Sequence, residues 1–589
     1  MFLRPVRYFL PLAVASLNLG AMSVSLTPSV SSPAPLGTVV TWSATALGAD
    51  PGTVTYAFRV RPANGAFRPV MDFGPKQSLN WTTIQKEGSY EMEVSAKNGD
   101  TGEVATTSTL FAFNSLVIGT KAVVTPTAHP LVYIYSASSC AAGSRMRVEF
   151  KSPDGVVQDT PWQACKPAHS MNFYLAGLRA STRYSAYHMT DSGTFSTIGT
   201  PLSFVTSEPT MITVPAVTRL TPSNTPTSDG VLLQSVIGGS AIATDLFGNV
   251  VWYSPSDISF VTRVGKGGTF LAVFQDQAQA PSHQFFREFD LAGITQAETN
   301  AARVSEQLVA RGMHGINGFH HEARKLQGGG YLVLADSERI LTDVQGPGDV
   351  DVMGDTIIVL NENLQVEWAW DAFDHLDTSR AAVEGETCTA PDPGCANWYL
   401  ATTANDWLHG NALQLTPDGN ILYSSRHQDW LFKIDYQNGM GTGVVLWRLG
   451  KDGDFQMKSD DPNPWFSHQH DANFEGNNKT MTLFDDGNAR AADDPAANSR
   501  GQVLSINEEK RTAKLVVNAD LGSYSQAVGS AQKLSNGNYH FDSGFIRDAA
   551  GNFSSQSVEV DSTGSIVFAI KFAALEYRTF RMADLYTEP

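Results

Sequence analysis

Basic residues are scarce in this 589-residue chain: 41 lysines and arginines stand against 59 aspartates and glutamates, a formal net charge of −18. So acidic a surface is a poor partner for nucleic acid, because phosphate binding draws on clustered lysine and arginine. An anionic ligand would need a local positive site that overcomes the global field. Long apolar runs are missing beyond the N-terminus, which leaves no candidate helical membrane span. Stretches of helical periodicity are few, and 50 glycines with 31 phenylalanines favour an all-β protein. No glycine-rich phosphate-binding loop is present.

Cysteine is rare too, with four in all. Cys140 and Cys165 share one region, and Cys388 and Cys395 share one loop. No cysteine stands beside a histidine, so an even, locally paired set predicts two disulfides in an oxidising compartment. The N-terminus agrees with export. Arg4 and Arg7 precede a short apolar run, Phe9 to Leu19, and the small pair Gly20-Ala21 follows. Residues 1–21 are expected to be a cleaved signal, and the protein periplasmic or secreted. The run is short for an anchor that stays uncut.

The length calls for several domains. Residues 22–118 alternate apolar and polar, as in Val39–Ala44 and Ser89–Val94, and predict an immunoglobulin-like sandwich. Residues 119–208 predict a second sandwich; Leu178 to Tyr184 is similar to the Leu-x-x-x-Thr-x-Tyr signature of fibronectin type III modules. Both are read as scaffold that covers the rest of the chain or helps it form a homodimer. Ser207–Thr210 reads as the linker into residues 212–589.

There a hairpin motif recurs: apolar, Asp or Asn, turn, apolar, aromatic. Asp245 to Trp252, Asn361 to Trp368 and Asp561 to Phe568 are three of its copies. Six copies at roughly 45 to 75 residues fit a six-bladed β-propeller with insertions. Two polar insertions, Ser337–Asp355 and Asp371–Thr403, are expected as mouth loops. Asp349, Asp351 and Asp355 offer calcium-type oxygens but lack EF-hand spacing, so a solvated turn is the preferred reading.

Ten of the thirteen histidines follow the linker. Three of them share one spacing: His320, His409 and His470 each stand ten residues before Gly330, Gly419 and Thr480. Histidines at one register of successive repeats converge if the repeats close into a ring. Converging imidazoles make a metal, anion or nucleophilic site.

The order of Asp406–Asn411, Ser424–Asp429, Lys433–Asp435, Trp447–Gly450, Ser467–Ala472, Leu483–Arg490 and the closing Tyr577-Arg578 resembles the bacterial arylsulfate sulfotransferase family. The resemblance spans most of residues 212–589; the two sandwiches fall outside it. It implies an exported six-bladed propeller that moves a sulfuryl group from a phenolic sulfate ester to a phenol, through a sulfated histidine and without a nucleotide donor or other cofactor. His470 would be the nucleophile. His320 and His409 would hold sulfuryl oxygens or protonate the phenolate, and Arg426 would supply fixed charge in a planar fork. Asn411 adds a neutral donor if the strand from His409 is extended, and His468 shares the face of His470 on the same condition. His321 competes with His320, which the internal alignment favours. His427, adjacent to Arg426, is expected on the opposite face, and Arg490 in a loop brace.

Two other classes stay open. A zinc-type histidine site would make a metal-dependent hydrolase, though an arginine in the cluster repels a cation, so no metal is assigned. A non-catalytic interaction propeller leaves the shared histidine spacing unexplained. The identity of the two phenols is not readable.

Overall fold

The alternating patterns become strands almost throughout. The computed structural model describes residues 21–210, 212–222, 230–255, 257–276, 280–390, 395 and 400–589. The expected export signal, apart from Ala21, lies outside them.

Residues 23–114 form a three-stranded and a five-stranded sheet. The two alternating segments fall in Val40–Leu47 and Gly88–Asn98. Every second side chain of a strand points the same way, so Trp42, Phe58, Trp81, Val94, Phe111 and Phe113 meet in one core. Residues 123–205 form another two sheets, with Cys140 bonded to Cys165. Tyr184 is buried there, and its hydroxyl accepts a 2.9 Å hydrogen bond from the Arg179 amide. That return bond five residues upstream is why the Leu178–Tyr184 segment needs tyrosine rather than phenylalanine.

From Val231 onward the chain is organised as antiparallel four-strand meanders, six among the described residues. Each meander has one strand at the same edge: β1 (Phe260–Gly265), β2 (Gly318–Lys325), β3 (Gly410–Leu415), β4 (His470–Phe474), β5 (Gly529–Lys533) and β6 (Glu576–Met582). The C-terminal β6 pairs with Val231–Val236, so the last residues of the chain complete the first meander. Each edge strand lies against the next in chain order, and β6 lies against β1. Apolar layers fill the gaps between meanders; Trp252, Phe270 and Phe289 are stacked in one of them.

The N-terminal sheets pack on this repeat region. Lys76 reaches Glu298 at 2.8 Å, Arg303 reaches Asp72 at 3.3 Å, and the Tyr586 hydroxyl donates to the Tyr174 carbonyl at 2.9 Å.

The stretch Ser337–Asp355 corrects an expectation. It is no loose loop but the far half of a hairpin, Tyr331–Thr342 paired with Asp349–Leu360. Pairing continues through the polar residues because they find partners: Glu338 accepts from Asn317 and from the Leu400 amide, and Arg339 pairs with Asp371. The three aspartates do not converge. Asp349 accepts from Thr342, Asp351 from the Ala401 amide, and Asp355, almost wholly buried, from the Gly410 amide. A calcium site and a solvated turn are both the wrong description of Asp355.

Candidate functional site

The starts of β2, β3 and β4 carry the histidines. In each the ladder shifts, between Phe319 and Ala323, Gly410 and Ala412, and His470 and Asn473. A left-handed residue sits within the first and third shifts, His321 (φ 53°) and Asp471 (φ 51°), and immediately before the second, His409 (φ 48°). Such bulges break strict alternation and re-aim side chains. The equal sequence spacing therefore hides unequal registers. Lys325, Leu415 and Phe474 close the three hairpins, and His320, His409 and His470 stand five, six and four residues before them.

The result is a row of rings. His320 touches His321 (centroids 5.0 Å), His321 touches His409 (4.7 Å), His409 stacks on His427 (4.6 Å) and His427 lies 5.8 Å from His468. The order reverses the expectation for the first pair. His321 lies beside His409 and Tyr577, while His320 is 3% exposed behind it, with Nε2 3.4 Å from both Asp336 and Asp355. Burial opposes charge on His320, yet the Asp336 and Asp355 carboxylates outweigh it and push its pKa up to about 9. Burial, then the charges of His409, His320, His470 and Arg578, holds His321 well below the ordinary histidine range. His409 directs Nδ1 to the Asp406 carboxylate at 2.8 Å.

His470 is 2% exposed, and its Nδ1 lies 2.9 Å from Oδ1 of Asp486. Burial, with Arg426, His409 and Arg578, keeps it neutral well below the usual range. Burial also pushes Asp486 well above the carboxylate range, against the pull of Arg426, whose Nε stands 3.8 Å from Oδ2. Arg426 donates to the Gln526 carbonyl at 3.0 Å and through Nη1 to Nε2 of His427 at 2.7 Å. His427 is therefore not on the opposite face. The strand ends at Ser425, the chain turns, and His427 anchors its ring on the Asp406 carbonyl and braces the guanidinium. Arg490 braces its loop, as expected, through Asp485 and the Asn498 carbonyl.

Two further expectations change. Asn411 is wholly buried and donates to the Gln469 carbonyl at 2.7 Å, so it fixes the backbone just ahead of His470. His468 has φ 55°, which turns it away from His470 onto Asp429 and onto Glu386 of the second insertion. Burial works against its charge, and hydrogen bonds donated to Asp429 and Glu386 raise its pKa nonetheless.

Below the histidines a second layer ties the edge strands together. Arg263 of β1 pairs with Glu322 of β2 and Asp471 of β4, and Arg578 of β6 pairs with Glu322 and donates to the Asn411 carbonyl of β3. Three arginines, Arg578 buried and Arg263 and Arg324 half-buried, against two carboxylates leave this layer cationic beneath the rings. Sequence reading missed most of it, along with Asp336, Asp355, Asp406 and Asp486. Asp406, Asp486, Tyr577 and Arg578 lie inside the quoted motifs, so position was available but role was not.

This constellation, a neutral imidazole on the Asp486 carboxyl group beside a braced guanidinium and other imidazoles, suits attack on an anionic ester. The arylsulfotransferase (ASST) family matches residues 202–579, which hold all of it. The chain belongs to that family. As an arylsulfotransferase it acts on small-molecule substrates, with two disulfides and, among the described residues, no helix able to cross a membrane. No curated protein matches the chain. Its N-terminal third is similar to solved chicken proteins. One is the interferon gamma receptor alpha chain (10% identity, 32% of this chain and all of that one, TM-score 0.14). Another is a two-domain fibronectin type III segment of tenascin (14%, 31% and 98%, TM-score 0.14).

Among the described residues, three trios bring ligand-type atoms within 4.8 Å: Asp406–His409–His427, His320–Asp336–Asp355 and Glu384–Glu386–His468. In the first, the Arg426 guanidinium already donates to His427. In the other two, the neighbouring carboxylates raise the histidine's pKa, which favours imidazolium over a ligand lone pair.

Proposed function

We propose that this arylsulfotransferase is an exported six-bladed β-propeller that transfers a sulfuryl group from an aryl sulfate to a phenol, without a nucleotide sulfate donor, through a sulfated His470. The propeller reading is supported by six four-strand meanders, by edge strands that lie against one another in sequence, and by a first meander completed by the C-terminal β6. Export is supported by the two disulfides.

The observation that carries the mechanism is the Asp486–His470 contact beside Arg426. With Asp486 ionised, its carboxylate holds Nδ1–H of His470, which leaves the Nε2 lone pair free to attack sulfur. Arg426 and His409 meet the non-bridging oxygens, whose charge is fixed there by permanent and oriented donors. The S–O bond to the donor phenol breaks as the N–S bond forms. The acceptor phenolate then attacks the same sulfur and returns the electron pair to Nε2. The first phenol leaves before the second binds, so kinetics are ping-pong.

Donor alone, quenched at neutral or alkaline pH because the N–S bond is acid-labile, should yield a sulfated peptide containing His470 and parallel double-reciprocal lines in initial-rate work. Intersecting lines with no labelled peptide would instead favour direct transfer between the two phenols. The metal-dependent alternative predicts stoichiometric transition metal in purified protein and loss of turnover on chelation.

A further inference from the structure

A leaving phenolate needs a proton, and the nucleophile cannot give one. We infer that His320 and His321 form a two-ring relay in which buried His320 supplies that proton and His321 hands it to the phenolate. This rests on the sulfuryl-transfer reading above.

The geometry is specific. Nδ1 of His320 lies 2.8 Å from Nδ1 of His321. Such a contact holds one proton between two ring nitrogens: one ring donates and the other accepts. The acid cage decides which. Asp336 of the Tyr331–Thr342 strand and Asp355 of the Asp349–Leu360 strand both face Nε2 of His320 at 3.4 Å. Asp406, ahead of β3, adds negative charge from a third element, and the Asp355 carboxylate is itself held by the Gly410 amide and the Tyr423 hydroxyl. His321 faces positive neighbours instead: His409, His470 and Arg578. His320 is thus the imidazolium and His321 the neutral acceptor, which leaves the His321 proton on Nε2.

Local backbone makes the contact possible. Consecutive residues of an extended strand point to opposite faces. The left-handed φ of His321 cancels that alternation and brings both rings to one side.

The step balances. As the S–O bond breaks, the phenolate takes the Nε2 proton of His321. The Nδ1 proton of His320 passes to Nδ1 of His321, and His320 keeps its Nε2 proton against Asp336 and Asp355. In the second half-reaction the acceptor phenol returns a proton to Nε2 of His321, and the Nδ1 proton goes back to His320. A donor held at about 9 is matched to a phenol titrating near about 10.

The test compares donors with good and poor leaving groups. In His320→Phe, turnover of phenyl sulfate should fall about 100-fold and that of 4-nitrophenyl sulfate by less than about 10-fold, since a nitrophenolate leaves without a proton. Labelling of His470 by the nitrophenyl donor should persist. Equal losses for both donors would overturn the relay. Absence of labelled His470 in the wild type would count against the sulfuryl-transfer reading, not the relay alone. If His320→Phe does not fold, Asp336→Asn keeps both rings. It should move the alkaline limb of the phenyl sulfate pH profile down by about one unit, and an unmoved limb overturns the relay.

Discussion

Asp486 Oδ1 and Nδ1 of His470 share one hydrogen bond across 2.9 Å, with both groups almost completely out of water. Burial raises the carboxyl and depresses the imidazole, so at low pH Asp486 keeps its proton and the pair holds Nε2 of His470 as N–H. The nucleophile appears as that proton is lost, so kcat/KM should rise with pH through the titration of the pair. In Asp486→Asn that acidic limb should vanish and the rate fall by about 100-fold or more; a preserved limb removes the assignment.

His470→Ala should abolish transfer in a folded protein, because no neighbouring imidazole reproduces its position against Asp486. Circular dichroism reports the fold, and a chromogenic aryl sulfate reports turnover. Near-normal turnover in the folded variant would sink the nucleophile assignment.

Arg426→Lys should cost about 10- to 100-fold in kcat with a smaller change in KM. An ammonium cannot at once donate to His427 and the Gln526 carbonyl and face Asp486, as the guanidinium does. His427→Phe should show part of the same loss, since it removes the brace but keeps the charge.

Opening Cys140–Cys165 by paired serine substitution should lower stability by about 3.5 kcal/mol, from the entropy of a closed loop of sequence separation 25. The kcat should not change, because this bond lies in the second N-terminal sheet pair, away from the histidines. Cys388–Cys395 closes only a separation of 7 and should contribute about 2.5 kcal/mol. Denaturant midpoints and kcat measured on each pair of variants check both statements.

Asp542 and Glu576, wholly buried on neighbouring meanders, supply a pH test of stability. Burial pushes Asp542 up to about 8 from the 3.8 of an open chain, and burial with Asp542 pushes Glu576 far up as well. A carboxyl raised in the folded state stabilises most below its unfolded pKa, and that stability is lost as pH rises through the folded value. The melting temperature should therefore fall between about pH 4 and about pH 8. Asp542→Asn should flatten the slope, and an unchanged slope would show that other groups carry it.

The class, the repeat region and the motif residues were legible because strand alternation and turn residues are local properties. Val40–Leu47 and Gly88–Asn98 needed only period-two burial, and each cysteine pair needed only proximity in the chain. Aim was not legible. His321 displaces His320, His468 turns from His470, and His427 comes round to Arg426, each because a left-handed residue or a strand end breaks the alternation on which a face assignment rests.

The sequence by itself determined an all-β chain with a histidine-bearing repeat region and four cysteines in two local pairs. Only the tertiary structure decided which charge meets which ring. Asp486 comes to His470 from 16 residues away, Asp355 to His320 from 35, and Arg578 to Asn411 from 167. Those pairings depend on meanders packing edge to edge, and the protonation states follow from burial, which no single segment creates alone.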